Sequence, residues 1–233
     1  MAAAKRTRGE FTMNTSLKAA LAAAACTFLI GSAHAGPIDW NAWSSATSGS
    51  IAADSVTVTF SAGGSTDQLV SGYPSYTPAS TWADGTIVGN APTSADGIIR
   101  LTGGNANINT VSFSTPVVNP VMAIWSLGAS GTSASFNFIG ATPTFVAGGP
   151  SAEYGGSAIS VSGNEVTGKE GNGTIQFLGT YSQISWTNPS YEYWYGFDVG
   201  IAGVSSVPEP GSLALFAVGL LALGLVRRRK TAG

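Results

Sequence analysis

Apolar and polar residues alternate along much of the chain, which is the pattern of half-buried β-strands. In the stretch 56–60 valine and phenylalanine alternate with threonine, and the stretch 135–138 repeats this alternation with two phenylalanines. Val121–Leu127 is apolar at almost every position, as a central strand buried on both faces would be. No stretch between residues 36 and 206 keeps a helical period. The pattern therefore predicts an all-β domain.

Short strands separated by turn residues indicate how the domain is arranged. Residues 72–96 are rich in Pro, Gly, Ser and Thr and predict long loops, and the stretch 169–173 predicts a hairpin turn in which Asn172-Gly173 suits positive φ. Further strands are predicted at 98–101, 108–113, 144–147, 158–161, 165–167, 175–177, 184–186 and 191–201. Without an internal repeat, this organisation favours an antiparallel β-sandwich that is jelly-roll-like.

The last predicted strand is the richest in aromatic residues. Alternation places one set of side chains in the core, and that set is Tyr191, Tyr193, Tyr195, Phe197, Val199 and Ile201. The other face then carries Glu192, Trp194 and Asp198. On this interpretation the tyrosines are core residues, and Trp194 is the best candidate for an exposed ring.

The N-terminus has the features of a secretory signal peptide. Lys18 precedes the apolar stretch 19–30, and small residues at Ala33 and Ala35 fit a cleavage site before Gly36. Residues 1–35 are therefore predicted to be removed by signal peptidase. Met1 and Met13 both remain open as the initiator.

The C-terminus has three parts in a fixed order. Pro208, Glu209 and Pro210 come first, the apolar run 211–226 follows, and a basic block ends it, namely Arg227, Arg228, Arg229 and Lys230. At about 1.5 Å per residue the apolar run makes a short transmembrane helix for a hydrocarbon core of about 30 Å. The basic block is expected to stay on the cytoplasmic side. The predicted domains are thus a signal peptide, a β-sandwich at 36–206 and a tail at 207–233.

This tail resembles the sorting signal of PEP-CTERM proteins, a signal that is also labelled as an ice-binding protein C-terminal domain. The resemblance implies that exosortase processes the tail after the chain has passed through the inner membrane. It also implies delivery to the cell surface or extracellular matrix of a Gram-negative bacterium that makes exopolysaccharide. The stretches 113–128 and 168–179 look like a domain common among such exported proteins, which implies a location and a fold but no chemistry.

Charge and composition exclude several classes of function. Between residues 36 and 206 the only bases are Arg100 and Lys169, against ten acidic residues, which gives a net charge of −8. An acidic surface argues against binding to nucleic acid or anionic lipid. Cys26 and His34 both fall in the signal peptide, so the domain has neither residue type. This excludes disulfides, zinc sites of the usual type, and Ser-His-Asp or Cys-His catalysis.

The remaining chemistry suggests a protein without enzymatic activity that binds exopolysaccharide. Flat apolar faces of sugar rings pack on aromatic side chains. The candidate glycan-binding residues are Trp194, Glu192 and Asp198 on the last strand, with Tyr73, Tyr76 and Trp82 in the loops.

Three further hypotheses stay open at the sequence level. A structural calcium ion, the one cofactor considered, would be held by Asp84, Asp96, Glu165 and Glu170, which lie near turns. A glycoside hydrolase would need two paired carboxylates, and no motif selects a pair. An ice-binding or adhesive protein would need threonine rows, for which only Thr57 and Thr59 qualify.

Overall fold

The structure is a computed structural model that describes residues 36–64, 66–69 and 73–202. All of them lie in one compact unit, residues 34–207. The predicted signal peptide and sorting tail lie outside the described residues, as do Ala35, Pro208, Glu209, Pro210 and the block Arg227, Arg228, Arg229 and Lys230. No helix in the described part is both long and apolar enough to cross a membrane.

The described residues form strands joined by turns and three short 3₁₀ helices. The strands are β1 (Ile38–Trp40), β2 (Ala42–Ser45), β3 (Ser48–Ile51), β4 (Val56–Ser61), β5 (Thr66–Leu69), β6 (Ile98–Leu101), β7 (Asn105–Val118), β8 (Val121–Leu127), β9 (Ala134–Ile139), β10 (Pro143–Gly148), β11 (Ser157–Ala158), β12 (Ser160–Ser162), β13 (Glu165–Gly168), β14 (Gly171–Phe177), β15 (Thr180–Asn188) and β16 (Tyr195–Ala202). The 3₁₀ helices are Ala53–Ser55, Tyr73–Tyr76 and Ala79–Thr81.

The strands pair into two sheets of eight strands each. The first sheet has the order β10-β14-β8-β16-β6-β5, with β1 added beside β16 and β11 beside β14. The second sheet has the order β12-β13-β9-β15-β7-β4-β3-β2. All the strand pairs are antiparallel except β11 with β14. The prediction of an all-β, antiparallel fold is confirmed at this level, and the jelly-roll connectivity stays a prediction.

Aromatic rings fill the space between the two sheets. Phe197 on β16 meets Phe60 on β4 at a centroid distance of 5.0 Å and Trp186 on β15 at 5.1 Å. Phe138 on β9 meets Phe177 on β14 at 4.9 Å. These edge-on contacts join residues of opposite sheets, so the sheets face each other across a shared core.

A second apolar cluster covers the outer face of the first sheet. Residues 75–97, here called the covering segment, place Trp82 and Val88 against Val121 and Trp125 of β8. Every residue of β8 is buried as a result, which agrees with its prediction as a central strand. The long loops predicted at 72–96 therefore act as a lining for the sheet.

The outer face of the second sheet is rich in hydroxyl groups. Buried and exposed residues alternate strictly in β4, and the exposed ones are Thr57, Thr59 and Ser61. Cross-strand neighbours extend these rows, since Thr59 pairs with both Ser48 and Ser112. We call this surface the hydroxyl face; its members are Ser48, Ser50, Thr57, Thr59, Ser61, Thr110, Ser112 and Ser185. Glu165 is the one charged residue in the eight strands of this sheet.

The turn before β14 differs from its prediction as a hairpin, because β13 and β14 lie in different sheets and do not pair. Positive φ falls on Glu170, at 56°, and not on Asn172 or Gly173. Asn172 lies inside β14 and is fully buried, where its side chain bonds neighbouring backbone groups. The turn thus lies at residues 169–170, within the predicted stretch 169–173, and its positive φ is on Glu170 instead of the Asn-Gly pair.

Candidate functional site

An open cleft of about 470 Å³ lies where the end of β8, the β13–β14 turn and the loop before β16 meet. Its walls combine aromatic rings, hydroxyl groups and two carboxylates. The lining residues are Ser126, Ala129, Thr132, Glu170, Tyr191, Glu192, Tyr193 and Trp194. Three segments that are distant in sequence thus build one concave surface.

The aromatic wall comes from Tyr191, Tyr193 and Trp194, which lie in the loop before β16. Tyr191 and Tyr193 are 69% and 64% exposed, whereas Trp194 is half-buried. The ring of Trp194 lies 4.5 Å from that of Tyr154, tilted by 34°. The guanidinium of Arg100 sits 5.4 Å from the centre of the Tyr193 ring, within range of a cation–π contact. The two tyrosines therefore present large apolar surfaces to solvent.

Both glutamates of the cleft are held by the peptide groups of Gly128. The backbone N–H of Gly128 donates to Oε2 of Glu192 at 2.6 Å, and its carbonyl accepts from the N–H of Glu170 at 3.1 Å. A Cβ at position 128 would lie 2.2 Å from the carbonyl oxygen of Gly168, and φ is +82°. Only glycine fits this close approach.

The surroundings of Glu192 shift its ionisation toward neutral pH. Burial raises the pKa of Glu192 to about 7, and the nearby charge of Glu170 contributes in the same direction. The hydrogen bond from Gly128 opposes this shift and only partly offsets it. Next to them, the buried hydroxyl of Tyr195 has no hydrogen-bond partner in the described part of the chain.

Two residues of the cleft hold unusual backbone conformations. Ser126 has φ of 48° and Glu170 has φ of 56°, and only four non-glycine residues in the described ranges have positive φ. Their side chains bond to each other, since Oγ of Ser126 donates to Oε2 of Glu170 at 2.8 Å. The amide oxygen of Asn172 accepts from the N–H of Ser126 at 2.9 Å. Such strain persists where surrounding contacts fix it and is concentrated at functional sites.

The predicted faces of the last strand are partly wrong. The strand β16 begins only at Tyr195, so Tyr191 and Tyr193 lie in a loop and are exposed instead of core. Tyr195 is buried as predicted. Asp198, predicted on a polar face, is 0% exposed because the covering segment and β1 leave β16 no open face.

Asp198 lies inside the domain, where its side chain bonds to another buried residue. Its Oδ1 accepts from Nε1 of Trp43 at 2.8 Å. Burial raises the pKa of Asp198 well above its usual range, and the charge of Asp96 adds to this. Asp198 is therefore remote from any surface ligand.

The loop aromatics do not complete the predicted platform. Trp82 is 0% exposed, with its ring 5.3 Å from that of Trp125 and its Nε1 donating to the carbonyl of Ile124 at 3.1 Å. Tyr76 is likewise buried, beside Trp125. Both were expected at an exposed rim, and both instead pack from the covering segment onto the apolar surface of β8. The side chain of Tyr73 lies outside the described residues.

A second cavity, of about 530 Å³, lies within the covering segment. It is lined by residues 76–79 and 89–94, and none of the lining residues in the described part is charged. It offers apolar contact without the carboxylates that the cleft supplies, so the cleft is the stronger candidate.

Comparison with known proteins bears on the tail. Residues 206–230 match the family model of the PEP-CTERM protein-sorting motif. This tail is a PEP-CTERM sorting motif. A PEP-CTERM motif implies processing by exosortase and export through the membrane to the cell surface. No curated protein and no solved structure is detectably similar to the chain.

The four acids considered for calcium lie at separate places in the described part of the domain. Burial disfavours ionisation of Asp84, but hydrogen bonds from the N–H groups of Val88, Ile87 and Thr86 outweigh it and lower its pKa. Asp96 accepts from the N–H and hydroxyl of Thr93. Within the described ranges, no three or more acidic, His or Cys residues come together as metal ligands. Glu165 lies on β13 and Glu170 in the cleft, so the predicted set does not assemble.

Proposed function

We propose that this is a cell-surface or matrix protein that binds extracellular polysaccharide in the Glu170–Glu192 cleft without cleaving it. Signal peptidase cuts between Ala35 and Gly36, the helix 211–226 holds the chain in the inner membrane, and exosortase then releases it. The host is a Gram-negative bacterium that exports the polysaccharide as well. The sorting tail supports the proposed export to the cell surface, and the cleft supports the proposed binding of a polysaccharide.

The observation that carries this proposal is the exposure of two tyrosine rings beside two carboxylates. Large aromatic faces left in water lose the free energy that burial would provide, and stacking of a sugar ring restores part of it. Carboxylate oxygens accept hydrogen bonds from sugar hydroxyls. Aromatic contact with a few convergent polar groups is the usual composition of a small-molecule site.

Replacing Tyr191 with Ala tests the proposal. Stacking on an aromatic ring contributes about 1–3 kcal/mol, with nucleic-acid bases as the nearest measured case. We therefore expect Tyr191→Ala to weaken binding of the host's own exopolysaccharide by roughly ten-fold or more. The matched control is Phe145→Ala, which removes a ring that is 47% exposed on β10, outside the cleft. Equal binding by both variants and the unchanged protein, measured by calorimetry, would contradict the proposal.

A carboxylate-based glycoside hydrolase is the second candidate. The raised pKa of Glu192 favours it, because a general acid must hold a proton near neutral pH. Glu170 is the second carboxylate that such a mechanism needs. Release of new reducing ends from the polysaccharide, abolished by Glu192→Gln, would replace the binding proposal with this one.

A further inference from the structure

The cleft is negatively charged and has no cation of its own. Among its lining residues Glu170 and Glu192 are the only charged groups in the described part of the chain. The two bases of the domain do not line the cleft: Arg100 lies over the ring of Tyr193 at its edge, and Lys169 lines a separate pocket. The two carboxylates repel each other, and a cation placed between them would remove that repulsion.

Each carboxylate has an oxygen available to a ligand. Glu192 uses Oε2 for Gly128, and Glu170 uses Oε2 for Ser126. In both side chains Oε1 makes no hydrogen bond to the described residues. An ammonium group has three donors and no acceptor, so it suits a cleft whose charged groups are both carboxylates.

We propose that the ligand is a polysaccharide with free amino groups, bound with an ammonium between Glu170 and Glu192 and the sugar ring against Tyr191 or Tyr193. This inference rests on the proposed function and adds the chemical class of the polysaccharide. An N-acetylated or neutral sugar leaves the two carboxylates without a cation. An acidic polysaccharide meets both carboxylates and a domain with two bases against ten acids.

The test compares two matched oligosaccharides on the exported protein. One is a glucosamine oligomer with free amines, and the other is the N-acetylglucosamine oligomer of the same length. We expect the amine oligomer to bind roughly ten-fold more tightly by calorimetry at neutral pH, because hydrogen bonds to charged groups are the stronger kind.

Three variants locate the source of the preference. Glu170→Gln and Glu192→Gln are each expected to remove most of it, whereas Glu165→Gln, an acid on β13 outside the cleft, retains it. The amide oxygen of Gln at position 192 can still accept from the N–H of Gly128, so the fold is kept. Circular dichroism of each variant checks that the fold is kept. Glu170→Gln tests independently whether a cleft carboxylate causes the preference for amines.

The failures of the two proposals are distinguishable. Equal affinity for both oligomers, or a preference that survives both cleft variants, overturns the amine inference and leaves polysaccharide binding in place. The same holds if neither oligomer binds while the host polysaccharide still does. Loss of all binding, including to the host polysaccharide, refutes the proposed function itself.

Discussion

Glu192 is half-buried and has a raised pKa, and its position in the sequence could not reveal either property. It was predicted on an exposed strand face, yet it lies half-buried in a loop, next to Glu170 and bonded to Gly128. Its proximity to aromatic rings could be predicted from the sequence, because tyrosines flank it. Its raised pKa depends on groups supplied by β8 and by the β13–β14 turn, which no local pattern connects to it.

Replacing Glu192 with Gln should change how stability depends on pH. The pKa of Glu192 rises from 4.5 to about 7 on folding, so the folded state binds this proton more tightly than the unfolded chain. The resulting stabilisation is full below pH 4.5 and is lost as pH rises toward 7. We expect Glu192→Gln to unfold at a higher temperature than the unchanged protein above pH 7, and to show a shallower pH dependence between those values.

Glu165→Gln is the control for this measurement, because Glu165 lies outside the cleft on the second sheet. If the unfolding temperatures of Glu192→Gln and of the unchanged protein depend on pH in the same way between pH 4.5 and 7, Glu192 ionises normally.

At the scale of elements, the strands could be predicted from the sequence, whereas the packing of the covering segment on the first sheet could not. The bounds of β6 and β8 agree with the sequence pattern, since alternation or continuous apolarity marks a strand directly. An apolar β8 also implied that something covers its second face. The covering segment has no period, because its burial is set by single residues such as Trp82 and not by a repeating face. The same limit explains Tyr191 and Tyr193, since alternation has no meaning once the chain leaves the strand.

Trp82→Ala should destabilise the domain strongly. The side chain is fully buried against Trp125, and its removal leaves a large cavity and an unpaired carbonyl at Ile124. Truncation of a buried Trp typically costs about 3–5 kcal/mol in the free energy of unfolding. Urea denaturation measures this, with Tyr191→Ala as an exposed aromatic control expected to change stability by about 0.5 kcal/mol or less. A near-neutral Trp82→Ala would mean that the covering segment is not packed on β8.

At the scale of the whole molecule, the sorting tail and the cleft differ in how far the sequence reveals them. The sorting tail was recognisable from sequence because its three parts are contiguous. The cleft was not, because Ser126, Glu170 and Glu192 are brought together only by the folded sheets. Contiguous motifs can thus be recognised from the sequence, whereas sites assembled from separate strands cannot.

Mass spectrometry of the exported protein should find both ends processed. We expect Gly36 as the first residue and a C-terminus near Pro208, because the cleavage sites that we propose for signal peptidase and exosortase lie there. A variant with alanines at Pro208, Glu209 and Pro210 should keep Arg227–Lys230 and stay with the membrane fraction. Surface protein that still carries the basic block in the unchanged chain would exclude tail cleavage.

The hydroxyl face gives the molecule one side that is insensitive to its surroundings. Its serines and threonines neither titrate near neutral pH nor gather counterions, and Glu165 is the one charge among its strands. The hydration of this side therefore stays constant as salinity and acidity change outside the cell. The cleft differs from this face, because its two carboxylates share a small volume and respond to both.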